Sequence, residues 1–157
     1  MKKIKILRII HTLDPNFGGP QNAIIDNSLA LTKKGFIVDI LTSDQKNIYK
    51  NNQKLIKIFN IGPSFLKYGF NIRLIFWLIR NKKKYDMFII HGLWTFYTLI
   101  ARFLLKNKYF IFAHGQLDPF FSIDFSKKIK KKFYWHLIEK KNLIKSNSLL
   151  LNTENEK

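Results

Sequence analysis

Residues 4–22 read IKILRIIHTLDPNFGGPQN, and this stretch decides the fold. Its apolar run ILRII is interrupted only by Arg8, as expected for a parallel strand that is covered on both faces. The turn that follows leads to Gly18, Gly19 and Pro20, and proline suits the first helical turn because its missing N–H costs nothing there. A strand, a glycine turn and a helix N-terminus in this order favour a bound phosphate. The alternative is a tight turn without a ligand, since the three-glycine dinucleotide fingerprint is missing.

Composition limits the class of protein. The chain has 157 residues, of which 46% are hydrophobic, so it is long enough for one domain with a real core. It has no cysteine, which excludes disulfides and thiolate metal sites. Lys5, Arg8 and His11 interrupt the apolar start before it reaches the length of a signal peptide core, and we expect a cytoplasmic protein.

The net charge of +18 favours an anionic partner, which is a nucleic acid, an acidic membrane surface or a phosphorylated ligand. The alternative is compositional. Lysine, asparagine, isoleucine and phenylalanine are abundant together, as expected if an AT-rich coding sequence had enriched their codons. Part of the excess charge is then a solvated lysine surface.

Strands and helices alternate along the rest of the chain. After the first strand, strands are predicted over residues 36–42, 55–61, 87–90, 109–113 and 148–151. After the helix that begins at Pro20, helices are predicted over residues 65–80, 95–105 and 127–145, with Ser64 and Ser126 as caps of the first and last of these. This alternation predicts an α/β, Rossmann-like three-layer domain with a mostly parallel sheet. The common strand order for such a sheet is 3-2-1-4-5-6.

Three histidines, His11, His91 and His114, stand at the carboxyl ends of predicted strands. Open α/β sheets bind ligands beyond these ends, and neighbouring strands lie about 4.8 Å apart, so the three imidazoles are predicted to share one crevice within roughly 10 Å. Three histidines would also be enough for a zinc site, although no carboxylate follows at the spacing of a known metal motif. Any one histidine alone is more often a hydrogen-bonded structural residue. His136 lies inside the last helix and receives no role.

His114 is the strongest candidate, because His-Gly places an imidazole beside a turn. A neutral imidazole there could donate a hydrogen bond to a sugar hydroxyl or stabilise charge on a leaving group. Asp118 could orient a hydroxylated ligand, but aspartate before proline is equally a turn former. Asp44 stands where a dinucleotide enzyme keeps a ribose-binding acid, a weak indication without the glycine fingerprint.

Four motifs in this order carry a family resemblance. They are TLDP at residues 12–15 with GGP at 18–20, HGLW at 91–94, HGQLDP at 114–119 and NTENE at 152–156. Together they resemble the N-terminal domain of family 4 glycosyltransferases, which are retaining GT-B enzymes. Order and spacing agree across nearly the whole chain. The two histidine motifs resemble those of members that build exopolysaccharide, O-antigen or related cell-surface glycans.

The resemblance implies transfer of a sugar, with retention, from a nucleotide-sugar to a cell-surface glycan or a lipid-linked acceptor. Gly18 and Gly19 would then lie against the donor diphosphate and close to the acceptor. His114 would correspond to the catalytic histidine that contacts the donor sugar. The further candidate substrate contacts are Asp14, His91, Trp94, Gly115 and Asp118. No metal or other cofactor is implied, and the sequence has no Asp-x-Asp metal motif.

The resemblance also implies that residues 1–157 are the acceptor-side domain, incomplete at its C-terminus. The second domain of such enzymes, which grips the nucleotide with an Arg/Lys pair and two glutamates, has no counterpart in this sequence. We therefore expect the chain to be inactive alone. The alternative is a non-catalytic basic module that binds a glycan lipid or another anionic partner.

The last predicted helix begins with a lysine cluster followed by aromatic residues. The cluster consists of Lys127, Lys128, Lys130, Lys131 and Lys132. This combination suits an anionic membrane, with a peripheral position at its inner face where a lipid-linked acceptor would lie. It would also suit single-stranded nucleic acid. The third alternative is a helix that packs through Ile129, Phe133 and Leu137 and turns its lysines to solvent.

Overall fold

A computed structural model describes residues 2–17, 20–45, 55–66, 68–117 and 133–152. The sheet has six parallel strands in the order β3-β2-β1-β4-β5-β6. The strands are β1 (Lys5–Ile10), β2 (Ile37–Thr42), β3 (Lys57–Asn60), β4 (Met87–His91), β5 (Tyr109–Phe112) and β6 (Ser148–Leu150). The predicted fold class, a Rossmann-like parallel sheet with helices on both faces, is confirmed, and so is the strand order.

Within the described ranges, four helices accompany the sheet. They are α1 (Pro20–Lys33), α2 (Ile72–Asn81), α3 (Phe96–Leu104) and α4 (Lys140–Ile144). A π-helical turn, Trp135–Glu139, leads into α4, and short 3-10 turns cover Pro15–Phe17 and Lys82–Lys84. In the part of the chain that the structure describes, no helix is both long and apolar enough to cross a bilayer.

The two faces of the sheet are covered by different helices. Leu7 of β1 belongs to the core that includes Leu74 of α2, and α3 and α4 contribute to the same core. Ile10 of β1 belongs to a second core with Ile24 of α1. Because side chains alternate along a strand, these contacts define an α1 face and an opposite face that α2, α3 and α4 cover.

The helix predicted over residues 65–80 is too long at its start. α2 begins at Ile72, and Asn71 is its N-cap: the Asn71 side chain accepts a hydrogen bond from the Arg73 backbone N–H at 2.9 Å. A capping amide with extended backbone ends the helix at that point. Ser64, the predicted cap, therefore lies well outside the helix.

A turn precedes α2 where helix was expected. Phe65 and Phe70 form an isolated antiparallel bridge, and between them Gly69 has φ +74. Glycine permits this left-handed conformation, which a continuing helix excludes. In this turn Leu66 is 81% exposed, and Phe70 is 42% exposed although its ring packs on that of Phe96.

Packing through Ile129, Phe133 and Leu137, the third alternative for the last helix, is wrong for the two of these residues that the structure describes. Phe133 is 70% exposed and Leu137 is 49% exposed, so neither anchors the helix. Ile129, Ser126 and the lysine cluster lie outside the described residues. The anchor is Glu139, which is fully buried and accepts hydrogen bonds from the Trp94 backbone N–H at 3.3 Å and from the Thr98 hydroxyl at 3.3 Å. Trp94 lies just before α3 and Thr98 in its first turn, so Glu139 ties the last helical segment to the start of α3.

Candidate functional site

The ends of β4 and β5 bring two histidines together. His91 ends β4 and pairs in register with Phe112 of β5. His114 follows Phe112 by two residues and returns to the same face. His91 Nδ1 lies 2.7 Å from His114 Nε2, and the two rings stack with centroids 5.0 Å apart. Two of the three histidines predicted at this edge therefore meet, as neighbouring strands require.

The turn that carries His114 is held in an unusual conformation. His114 has φ +54 and Gly115 has φ +81, so two successive residues are left-handed. This region costs a residue with a Cβ atom roughly 1 kcal/mol, and such strain persists where surrounding contacts hold it. Gln116 supplies one such contact, since its Oε1 accepts a hydrogen bond from the Leu93 backbone N–H at 2.5 Å. The loops after β4 and β5 are thereby tied together.

His11 does not join the pair, and the predicted convergence of three imidazoles is wrong. In the register of β1 and β4, Ile10 stands level with His91, so His11 is one residue further along and turns to the opposite face. There His11 Nδ1 lies 3.2 Å from the Tyr97 hydroxyl of α3. A three-histidine zinc site loses its geometric basis, and among the described residues no group of three His, Cys, Asp or Glu could hold a metal ion.

A crevice of about 340 Å³ opens beside the histidine pair on the α1 face. One wall is the N-terminal half of α1, and the other is formed by residues of β1, β4 and β5, by His114 and by Asn152, which lies two positions after β6. Its lining consists of Arg8, Pro20, Ala23, Ile24, Asn27, His91, Phe112, His114 and Asn152. The crevice thus contains one cation and two imidazoles, and no carboxylate is part of its described lining.

Arg8 is the residue that sequence reasoning missed. It is only 5% exposed, and its Nη1 donates hydrogen bonds to the Ile24 carbonyl at 3.0 Å and the Ser28 hydroxyl at 2.9 Å. Burial lowers the pKa of Arg8 from 12.5 to about 10, so the guanidinium remains charged at neutral pH. Arginine is rarely buried unless it is paired. The sequence feature that could have indicated this role is a single charged residue inside an otherwise apolar strand.

The charge of Arg8 has no protein counter-ion in the described ranges. The salt bridges found there join Lys2 to Asp86 and Lys5 to Asp39. The buried Nε of Arg8 also has no hydrogen-bond partner among the described residues. A buried cation without an anion costs several kcal/mol. Because Arg8 lines the crevice, an anionic ligand there would supply the missing charge.

His91 is neutral. Its pKa lies well below 6.5, chiefly because burial disfavours the charged ring, with further lowering by Arg8 and His114. Its Nε2 is buried and has no hydrogen-bond partner within the described part of the chain. If His114 Nε2–H donates a hydrogen bond to His91 Nδ1, the single proton of the neutral His91 ring is on Nε2. His91 Nε2–H can then donate a hydrogen bond to a ligand. This tautomer matches the anion that Arg8 requires.

Two of the predicted substrate contacts have other partners and do not line the crevice. Asp14 Oδ1 accepts hydrogen bonds from the backbone N–H and side-chain amide of Asn16, at 3.0 Å and 2.9 Å, which closes a local turn. The Trp94 ring packs against the rings of Tyr134 and Trp135, with centroids 6.1 Å and 5.8 Å away. The described contacts of Asp14 and Trp94 are therefore structural and lie outside the crevice.

Several predicted site residues lie outside the described residues. These are Gly18, Gly19, Asp118, Lys127, Lys128, Lys130, Lys131 and Lys132, together with residues 153–156 of the last motif. Pro20, which directly follows the glycine pair, lines the crevice, as does Asn152 at the start of the last motif.

Asp44 serves the loop after β1. One carboxylate oxygen accepts a hydrogen bond from the Thr12 hydroxyl, and the other accepts one from the Leu13 backbone N–H at 2.7 Å. Asp44 is buried and does not line the crevice. Its position after β2, which suggested a ribose-binding acid, is used to fix the backbone that leads from β1 towards α1.

No protein-family model matches the chain, and no curated protein matches it closely enough to count as a relative.

Proposed function

We propose that this chain is the N-terminal part of a retaining glycosyltransferase that moves a sugar from a nucleotide-sugar to a cell-surface glycan or a lipid-linked acceptor. The observation that supports the proposal best is the buried Arg8, which has no counter-ion among the described residues and lines a crevice at the carboxyl edge of a parallel sheet. The diphosphate of a nucleotide-sugar has the charge that this crevice lacks. The motif resemblance gives the reaction class.

Each residue of the crevice has a proposed role. When the bond between the sugar and the diphosphate breaks, negative charge collects on the leaving diphosphate, and Arg8 would stabilise it. His91 is buried and neutral and would donate a hydrogen bond from Nε2 to a phosphate or sugar oxygen. His114 is only partly buried and would contact the donor sugar. Gly18 and Gly19, by resemblance, would approach the diphosphate with their backbone N–H groups.

The first test is equilibrium binding to the 157-residue chain by calorimetry. The ligands are pyrophosphate, a nucleoside diphosphate and the matching free nucleoside. We expect the first two to bind, and we expect Arg8→Gln to weaken both by about tenfold or more, because a charge-assisted hydrogen bond is lost. Lys33→Gln removes an exposed charge and is the control. Equal binding of the free nucleoside and the diphosphate would contradict the role of Arg8.

The second test concerns turnover. The chain is joined to a nucleotide-binding domain of the kind that the resemblance implies, and transfer from a labelled nucleotide-sugar is followed. We expect His114→Ala to abolish transfer while pyrophosphate still binds through Arg8. Transfer at the unchanged rate in His114→Ala would contradict the catalytic role of this histidine.

The second candidate function is a non-catalytic module that binds a glycan lipid or another anionic ligand. It is favoured by the crevice itself, whose described lining offers a cation and two imidazoles but no carboxylate. Tight binding of a glycan lipid by the chain, without turnover in the joined protein, would favour this function over the first.

A further inference from the structure

α2 presents an apolar face to solvent. Its inner residues Leu74 and Leu78 are almost fully buried, while Ile72, Phe76 and Ile79 on the outer side are 49%, 54% and 51% exposed. Positions 72, 76 and 79 follow one stripe of a helix at 3.6 residues per turn. A soluble helix normally turns its polar side outward, so a second apolar stripe on the outside marks an interaction surface.

Two arginines border this stripe. Arg73 and Arg80 lie seven residues apart on α2 and flank Phe76, so the exposed arc has an apolar centre and a basic edge. Together with Trp77 they line a groove of about 570 Å³ between α2 and the edge strand β3. We call Ile72, Arg73, Phe76, Ile79 and Arg80 the α2 patch.

The sequence around the α2 patch contains no acidic residue. From residue 45 to residue 85 there are ten lysines and arginines and no aspartate or glutamate. A second copy of the chain would bring like charges against each other on this face, which opposes self-association. Phe76 is the one aromatic ring of the α2 patch, and Ile72 and Ile79 cannot stack on nucleobases, so the patch lacks the successive stacking rings that bind single-stranded nucleic acid. Apolar side chains with a basic border match the headgroup region of an anionic bilayer.

A second basic and apolar groove lies on the same helical layer. It has a volume of about 410 Å³ between α3 and α4 and is lined by Arg102, Phe103, Lys141, Ile144 and Lys145. Phe103 and Ile144 are both largely exposed. Because α3 contacts α2 on one side and α4 on the other, this groove and the α2 patch lie on the same side of the sheet.

We propose that the outer side of the α2–α3–α4 layer binds the surface of an anionic lipid bilayer. In this arrangement the apolar residues of the α2 patch enter the boundary between headgroups and acyl chains, and Arg73 and Arg80 contact lipid phosphates. The groove between α3 and α4 extends the contact. This surface is separate from the crevice on the α1 face, so the inference does not depend on the proposed glycosyltransferase activity.

The test is sedimentation of the 157-residue chain with vesicles of phosphatidylcholine alone or mixed with phosphatidylglycerol. We expect binding to the mixed vesicles and little binding to the neutral ones. Arg73→Gln with Arg80→Gln should weaken binding roughly five-fold for each charge removed. Phe76→Ser with Ile79→Ser should weaken it about tenfold or more, because apolar area no longer enters the bilayer. All four side chains are exposed, so the variants should fold.

Matched controls place the effect on this surface. Lys33→Gln with Lys34→Gln removes the same number of charges at the end of α1, on the other side of the sheet, and Ile4→Ser removes an exposed apolar side chain just before β1. Both should bind mixed vesicles almost as well as the parent chain. Absent binding, equal binding to neutral and mixed vesicles, or equal loss in the controls would overturn the proposal. So would a dimer that the Phe76→Ser, Ile79→Ser variant abolishes while no vesicle binding occurs.

Discussion

The imidazoles of His91 and His114 are in direct contact, with 2.7 Å between His91 Nδ1 and His114 Nε2. The contact joins the ends of two adjacent parallel strands and links a fully buried ring to one that is only partly buried. The direction of the hydrogen bond between His114 and His91 fixes which nitrogen of the buried His91 ring carries its proton. A ligand that binds in the crevice would therefore affect both imidazoles.

Replacement of Arg8 separates stability from ligand binding. We expect Arg8→Met to raise the free energy of unfolding by about 1 kcal/mol without ligand, because an unpaired buried charge is removed while the Ser28 hydroxyl still donates to the Ile24 carbonyl. Pyrophosphate should stabilise the parent chain but not this variant. Urea denaturation with and without pyrophosphate measures both effects. A variant that is less stable, yet still stabilised by pyrophosphate, would contradict the assignment.

The buried His91 makes stability depend on pH. Its pKa is lowered well below 6.5 in the folded chain, so below about 6.5 the unfolded chain takes up a proton that the folded chain does not. Stability should be full above this pH and should fall below it, with a slope approaching about 1.4 kcal/mol per pH unit. Burial lowers the pKa of His11 as well and adds to the slope.

The variant for this prediction is His91→Gln, whose urea midpoint should vary less with pH than that of the parent chain. His136→Gln replaces an exposed histidine outside the crevice and is the control. Equal slopes in all three proteins would show that His91 is not the group responsible.

Glu139 is predicted to be needed for its oxygens and not for its charge. Burial raises its pKa, so stability is lost as the pH rises from 4.5 through the folded pKa and the buried carboxyl ionises. Glu139→Ala should cost about 3 kcal/mol at neutral pH, because the Trp94 N–H, the Thr98 hydroxyl and the Asn142 amide lose their acceptor. Glu139→Gln keeps one of the two acceptor oxygens, so it should cost less than Glu139→Ala, and it should remove this pH dependence. Equal destabilisation by both changes, measured in urea, would contradict this explanation.

Asp44 is predicted to fix the loop between β1 and α1. Asp44→Ala leaves the Thr12 hydroxyl and the Leu13 N–H without their acceptor, and we expect a loss of about 3 kcal/mol in the free energy of unfolding. Asp26→Ala, at an exposed position of α1, should change it by less than about 0.5 kcal/mol. Similar losses in the two variants would mean that the Asp44 contacts carry no net stability.

The predictable parts of this molecule are those that follow from the alternation of strands and helices and from which strands are neighbours in the sheet. Strands that alternate with helices gave the parallel sheet, and the adjacency of β4 and β5 brought His91 next to His114. The position of His11 depended on register, because a shift of one residue moves a side chain to the other face and no pattern in the sequence fixes the register between two buried strands. The start of α2 depended on the Asn71 cap and on the left-handed Gly69, which apolar spacing conceals.

Arg8 shows a second limit. Within an apolar run it looked like an interruption, and only the packed structure reveals that the guanidinium is buried against α1 and faces a crevice. Burial of a charge is a tertiary property that local sequence does not record.

The most direct test is a long-range proton–nitrogen NMR spectrum of the four histidine rings during titration with a nucleoside diphosphate. We expect the signals of His91 and His114 to shift together and to saturate, while those of His11 and His136 stay in place, and we expect Arg8→Gln to remove the shifts. Shifts confined to His11 or His136, or shifts of His91 and His114 that persist unchanged in Arg8→Gln, would contradict the assignment of the crevice as an anion site.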